Sequence, residues 1–322
     1  MKLLRYAIAG LFALGLTATG LSANHPARYD GWDCCEPSPC CFETNACDVK
    51  YKIYGDFLYW DVAKTDLFTA LDGTGTSQYL NPDYDYGFRI GAFAEWNRWD
   101  FGLRYTWYQN ESTAAIPAPA GAAAVNARFK LETDILDIEL GHAFRFCSSA
   151  TFRPFVGAKL AWIRDHYDNL VTATVNGVAG VPTGNNNGSN TKIDFHGYGL
   201  YLGACGRWEL WTFDSCGMCM PIALVMRGST GILRATFNHK RIVSAGAGAT
   251  AAPANYDDHD AYIPVHEGYV GLETSFDAYC GTDVFVQIGY EAQYWGWRKY
   301  NDVSDTAHLG MGGLVVRTGL SF

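Results

Sequence analysis

From residue 24 onward the chain lacks any run of 18 apolar residues, which excludes a membrane-spanning helix, since such a helix takes about 20. Positive charge is also scarce: 24 Lys and Arg face 33 Asp and Glu, a net charge of −9. That balance argues against nucleic acid as a partner. Charged residues make up only 18% of the chain and methionines number 5, whereas aromatics reach 15% and glycines 35. Many aromatics and glycines without a long apolar run suit strands that show one apolar and one polar face.

The N-terminus departs from the rest. Lys2 and Arg5 precede an apolar run from Tyr6 to about Leu16, and small residues lead to Ala23. A basic start, a short apolar stretch and a small residue before the cut describe a secretory signal peptide over residues 1–23. Without it the chain keeps 22 basic and 33 acidic residues, a net of −11. The expected organisation is then a Cys-rich periplasmic segment over 24–47 and a barrel over 48–322.

From residue 50 onward, apolar and polar side chains alternate with the period of a half-buried strand. Strands are expected near 50–62, 84–96, 99–109, 128–146, 151–166, 192–208, 222–238, 263–277, 283–297 and 308–322. In one, Trp99, Phe101, Leu103, Tyr105 and Trp107 share a face, with Asp100, Gly102, Arg104, Thr106 and Tyr108 opposite. The 128–146 strand changes parity: Lys130, Glu132 and Asp134 are polar at even positions, Leu136, Ile138 and Leu140 apolar. A β-bulge near Asp134–Leu136 would restore a single apolar face. Trp and Tyr near strand ends, Trp60, Trp96, Trp99, Trp107, Trp162, Trp208 and Tyr294, read as an interfacial girdle on the lipid side.

Short connections at 97–98, 147–150, 209–221 and 278–282 alternate with longer ones at 63–83, 110–127, 167–191, 239–262 and 298–307. Outer-membrane barrels have short periplasmic turns and long outer loops. The fold expected is therefore an all-β, up-and-down antiparallel transmembrane barrel of ten strands, with eight and twelve as neighbouring counts. An even count puts both strand ends of the sheet, and Phe322, on the periplasmic side. Phe322 is the expected C-terminal assembly signal, read by the barrel-assembly machinery; the final strand should turn Arg317 to the lumen and pair with the strand near 50–62. A soluble β-sandwich would alternate too, but would not carry Trp and Tyr at the ends of its apolar faces.

Several segments resemble the major outer membrane protein family of the Legionella and chlamydia-related type. They are Asp56-Phe57-Leu58-Tyr59-Trp60, then Tyr84-Asp85-Tyr86-Gly87-Phe88-Arg89-Ile90-Gly91, Trp99-Asp100, Tyr105-Thr106-Trp107, Ile138-Glu139-Leu140-Gly141, Phe152-Arg153-Pro154-Phe155-Val156-Gly157 and Gly289-Tyr290-Glu291. The resemblance covers most of the chain beyond the leader and keeps the family's order. It implies an abundant, pore-forming barrel of the bacterial outer membrane, with trimers by analogy, and offers no catalytic motif to transfer. The Cys-rich segment 34–47 departs from many members and is more like the disulfide-linked envelopes of the chlamydial branch.

Charges expected to face the lumen are Arg89, Glu95, Asp100, Arg104, Asp137, Glu139, Arg153, Lys159, Arg207, Glu273, Glu291 and Arg317. They either select solutes in a polar channel or pair with one another and fill a narrow barrel, since about eight strands leave an interior just filled by side chains. The sequence leaves both open: porin-like passage joined to a structural envelope role, or a closed-lumen structural or adhesive protein. Ten cysteines in an exported chain suggest disulfides. Cys34, Cys35, Cys40, Cys41 and Cys47 crowd the N-terminal segment, and Cys147, Cys205, Cys216, Cys219 and Cys280 fall at or near periplasmic turns. Tethering within the chain and cross-links to neighbouring barrels or periplasmic Cys-rich proteins both fit. Partners beyond these are outer-membrane lipid and further copies of the chain.

Two clusters carry weaker chemical signals. Cys216-Gly217-Met218-Cys219 has zinc-like or redox-like spacing, but no second pair lies nearby and no cofactor or metal is expected. Asp257-Asp258-His259-Asp260 sits in an outer loop, where some ten-stranded barrels are surface proteases and carboxylates can hold Ca²⁺; a solvated acidic loop explains the run equally well, and no enzyme is expected. The small-residue stretches Ala114–Val125 and Ala245–Ala254 read as surface loops.

Overall fold

Side chains of period two give ten long antiparallel strands in a computed structural model of the chain. It describes residues 49–64, 68–71, 77–79, 81–116, 124–147, 149–172, 188–215, 218–244, 252–255, 259–279, 282–296 and 308–322. The barrel strands are β1 (Lys50–Lys64), β2 (Asp85–Trp96), β3 (Trp99–Ile116), β4 (Ala124–His142), β5 (Ala150–Thr172), β6 (Gly188–Ser215), β7 (Met218–Ser244), β8 (His259–Tyr279), β9 (Thr282–Gly296) and β10 (His308–Ser321). Each pairs with its neighbours in sequence, and β10 closes the ring on β1. Closure is what a lipid-embedded sheet requires, because an open edge would leave backbone N–H and C=O groups without partners in hydrocarbon. Short strands Phe68–Leu71 and Ser77–Tyr79 pair with each other, Phe144–Cys147 adds to β5, and Ala252–Asn255 adds to β7. The leader, the segment 24–47 and the cysteines within it lie outside the described residues.

The closing seam is in simple register, Ile53 opposite Leu320 and Asp56 opposite Arg317. Beyond it, the Tyr51 and Phe322 backbones exchange bonds of 2.8 and 2.9 Å, and their rings lie 6.0 Å apart. At the same end β2 turns into β3 through Asn97 and Arg98 at φ 49° and 70°, the left-handed pair of a type I′ hairpin whose twist matches the strands. β6 passes to β7 and β8 to β9 through two residues each, 216–217 and 280–281. The expected connection at 209–221 is therefore mostly hairpin, with a register shift near Ile222. The strand ends that the long connections join all lie at the opposite end, which is the outer side of such a barrel.

The barrel is lopsided. β5, β6, β7 and β8 run for 23, 28, 27 and 21 residues, against 15, 12, 15 and 14 for β1, β2, β9 and β10. One wall thus stands well outside the membrane, built from residues expected to be loop. The same height explains the parity change in β4. Its pairing with β3 and β5 has no register shift, so the expected bulge near Asp134–Leu136 is absent. Odd positions face inward throughout. Above the bilayer the outward residues become polar (Lys130, Glu132) while the inward ones, Phe129, Leu131 and Ile135, are buried and apolar.

Trp60 corrects a second expectation. It has no exposed surface and points inward, where Tyr108 donates a 2.8 Å hydrogen bond to its carbonyl. Trp96, Trp99, Trp208 and Tyr294 lie exposed on the outer face, as do Phe57, Phe101, Val156 and Leu200, and give the lipid its apolar contact.

Candidate functional site: the barrel interior

Inward-facing side chains fall into two layers. The layer towards the short turns is ionic. Arg317 on β10 grips Asp56 on β1 with two bonds, 2.7 and 2.9 Å. Asp56 also accepts from Arg89 on β2 at 3.1 Å. The Arg89 guanidinium then reaches across to Glu291 on β9 in a bidentate pair of 2.7 and 2.8 Å, and its Nε donates to Thr106 at 2.9 Å. Such fork-to-fork pairing fixes geometry as well as charge.

A second set crosses the middle of the barrel. Arg104 on β3 bonds Asp137 on β4 at 2.8 Å and Glu267 on β8 at 3.1 Å. Lys159 on β5 contacts Asp137 and Glu267, each at 2.6 Å. Arg227 on β7 reaches Glu139 on β4 at 2.5 Å. Arg153 pairs with both Glu139 and Asp100. Lower down, Arg207 on β6 holds Glu273 on β8 at 2.7 Å, and Gln287 donates to the same carboxylate. Arg89, Asp56 and Lys159 are each no more than 1% exposed, so these charges are withdrawn from water and survive because each finds opposite charge.

Eleven of the twelve charges expected to face inward lie in these chains of contacts: Arg89, Asp100, Arg104, Asp137, Glu139, Arg153, Lys159, Arg207, Glu273, Glu291 and Arg317. The twelfth, Glu95, is exposed at the end of β2, opposite Lys50 and Asp100 in register. Sequence reading missed Asp56, Arg227 and Glu267. Reading Phe57 and Tyr59, and Met226, as the lipid-facing residues would have placed the first two inward. Glu267 was hidden by the small and polar residues around it on β8.

Above the ionic layer the interior is mainly apolar, with Asn110, Thr133, Asp165 and Gln293 buried among its hydrophobic side chains. Leu58, Trp60, Tyr108, Phe129, Ile163, Phe195, Phe237, Ile263, Trp295 and Met311 form one buried cluster contributed by β1 and by every strand from β3 to β10. Phe195 on β6 meets Phe237 on β7 at 5.2 Å and stands edge-on to Trp295 on β9 at 6.2 Å, the arrangement that aromatic quadrupoles favour. Cations join the layers: the Arg89 guanidinium lies 5.5 Å from the Trp60 ring, and Lys159 lies 5.2 Å from Tyr201. A cavity of about 10 Å³ among Arg104, Arg227, Glu267, Tyr269 and Glu291 has room for roughly one water.

The other candidates fall elsewhere. Cys205 is a free thiol on the inward face of β6, opposite Arg153 and Arg227. Cys147 and Cys219 lie on strands whose side chains there are outside the described residues, as Cys34, Cys35, Cys40, Cys41, Cys47, Cys216 and Cys280 are altogether. Of the acidic outer run, Asp257 and Asp258 are outside the described residues. Asp260 is engaged by Arg234 at 2.8 Å and by the Thr236 hydroxyl at 2.7 Å. Among the described residues no group of three His, Cys, Asp or Glu side chains is placed to hold a metal.

Comparison with known proteins gives this barrel its family. The family described as the Legionella pneumophila major outer membrane protein precursor matches residues 44–314. The chain belongs to that family. It is accordingly a bacterial outer-membrane barrel protein. No curated protein sequence matches it. Among solved structures it is similar to the outer membrane protease OmpT of Escherichia coli, at 11% identity over 87% of this chain and 99% of that one, with a TM-score of 0.42. It is also similar to the toluene transporter TodX of P. putida, at 11% identity over 85% and 89% with a TM-score of 0.29. A third is the translocator domain of the autotransporter NalP from Neisseria meningitidis, at 10% over 86% and 89% with a TM-score of 0.34. At such identities nothing about substrate or activity passes from them to this family member.

Proposed function

We propose that the protein is a non-enzymatic structural barrel of the outer membrane whose resting lumen is shut to hydrated solutes. The reading is carried by the bond between Arg104 on β3 and Glu267 on β8, 3.1 Å across strands five apart in a ring of ten. Direct contact between opposite walls supports a lumen without a continuous water column there, and the aromatic layer above supports a second block. Family membership favours the other reading, porin-like passage of small solutes, which would require both layers to part.

Planar-bilayer recording of the refolded protein separates the two. The structural reading expects a silent membrane at modest voltage, from the monomer and from any oligomer extracted intact. Discrete, long-lived openings in the unmodified protein would overturn it in favour of a porin.

A further inference from the structure

The outward-facing side chains just above the apolar band carry a charge pattern that the interior does not explain. On β5, β6 and β7 the last apolar or aromatic residues facing lipid on the outer side are Trp162, Tyr198 and Ile232. Two residues beyond each, on the same face, stand Arg164, His196 and Arg234. Outward positions of the other seven strands near this height include Asp260, Gly296, His308, Asp61, Tyr84, Gln109 and Asp134. Among these positions arginine stands only on β5 and β7, with His196 on the strand between them.

The register makes these three a ladder. His196 lies opposite Trp162 on one side and Thr236 on the other, while Arg234 lies opposite Tyr198. Each step is thus diagonal, about 7–8 Å between neighbouring positions. In a barrel with tilted strands, a diagonal path stays level with the membrane. Phosphate groups of a lipid leaflet lie at one level too.

Both arginines hold acidic neighbours, Arg164 with Glu132 at 3.1 Å and Arg234 with Asp260 at 2.8 Å. Both arginines are about half exposed, where an ion pair is worth little. One guanidinium nitrogen is used in each, which leaves further donors of the five free to turn outward. Lys192 stands higher on β6, bound to Asp194 at 3.0 Å. Below the ladder the surface changes to bare hydrocarbon: Leu200 is 74% exposed and Ile232 62%, beside Leu202 and Tyr198. Two arginines and an imidazole above, and smooth apolar surface below, match a molecule with phosphates above several acyl chains. The wall continues upward beyond the ladder, as a sugar-bearing headgroup would need.

We infer that the outer face of β5–β7 binds a phosphorylated glycolipid of the outer leaflet, with Arg164, His196 and Arg234 on its phosphates and Leu200, Leu202 and Ile232 against its acyl chains. The test is native mass spectrometry and equilibrium binding of the full-length refolded protein with bisphosphorylated lipid A, with the same lipid dephosphorylated, and with inorganic phosphate. The protein should retain the bisphosphorylated lipid, hold the dephosphorylated one about tenfold more weakly, and hold free phosphate negligibly; the R164Q/H196Q/R234Q protein should lose the same factor of about ten. A second variant, R128Q/K240Q, removes exposed cations that stand higher on β4 and β7 and should bind as the unmodified protein does. Equal retention by the triple variant, an equal loss in R128Q/K240Q, or free phosphate binding as tightly as the lipid would each overturn the assignment. Should the triple variant fail to fold, the single changes R164Q and R234Q give the same reading at about threefold each.

Discussion

Arg104 and Glu267 join walls on opposite sides of the barrel at 3.1 Å, and each keeps a second partner, Asp137 for the arginine and Lys159 for the glutamate. Asp137 and Lys159 are themselves 2.6 Å apart. Removing one charge should therefore hurt more than removing two. Arg104→Ala strands buried carboxylate and is expected to cost about 3–5 kcal/mol, whereas Arg104→Met with Glu267→Leu leaves Asp137 and Lys159 paired and should cost markedly less. Urea unfolding in lipid vesicles, followed by tryptophan fluorescence, measures both. A double variant no better than the single one would contradict this account.

The aromatic layer makes a separate prediction. Phe195 is 1% exposed and packs on both Phe237 and Trp295. Phe195→Ala should cost about 3–5 kcal/mol through the cavity it leaves. It should not by itself open the barrel to ions, because the ionic layer below is untouched. Thermal unfolding gives the first quantity, and bilayer recording of the same variant gives the second. Steady conductance from Phe195→Ala alone would assign the seal to the aromatic layer.

Strand number, strand order and the lipid-facing side were legible because period-two alternation is a local signal. Trp99 to Tyr108 and Val286 to Gln293 show it without interruption, and both face as their alternation indicates. What the sequence concealed was height. Alternation was read as lipid outside and polar inside along the full strand, yet above the bilayer water is outside and the plug is inside. The faces then exchange character, so Lys130 and Glu132 mimicked a bulge and Trp60 mimicked a girdle residue. The ionic pairing was hidden for another reason: Arg89 and Glu291 are 202 positions apart, and only closure of β10 on β1 brings them together.

The turn between β2 and β3 offers a stabilising change. Arg98 adopts φ 70°, a left-handed conformation that costs a residue with a Cβ about 1 kcal/mol or more and glycine almost nothing. Its side chain is exposed, and its carbonyl accepts from the Ala143 N–H at 2.8 Å, a bond that a substitution would keep. Arg98→Gly should raise stability by about 0.5–1 kcal/mol, read as a higher urea midpoint at unchanged slope. Arg98→Val, β-branched and poorly suited to positive φ, should lower it.

A pair of carboxylates sets the last prediction. Asp277 and Asp283 face each other across β8 and β9, one residue beyond the final outward pair Phe276 and Val284, at the rim next to the turn. Burial, and then the hydrogen bond and negative charge of Asp283, push the Asp277 carboxyl up to about 7 from an ordinary 3.8. A folded-state value above the unfolded one means that folding favours the protonated form. The associated stability is complete below about pH 4 and disappears as the pH rises through about 7. Asp277→Asn imitates the protonated carboxyl at every pH. It should match the unmodified protein near pH 5 and exceed it near pH 8.5 by about 1 kcal/mol, a small gain because the pair is partly screened by water. Melting temperatures of the two proteins at both pH values decide it, and a gap of the same size at each would remove Asp277 as the titrating group.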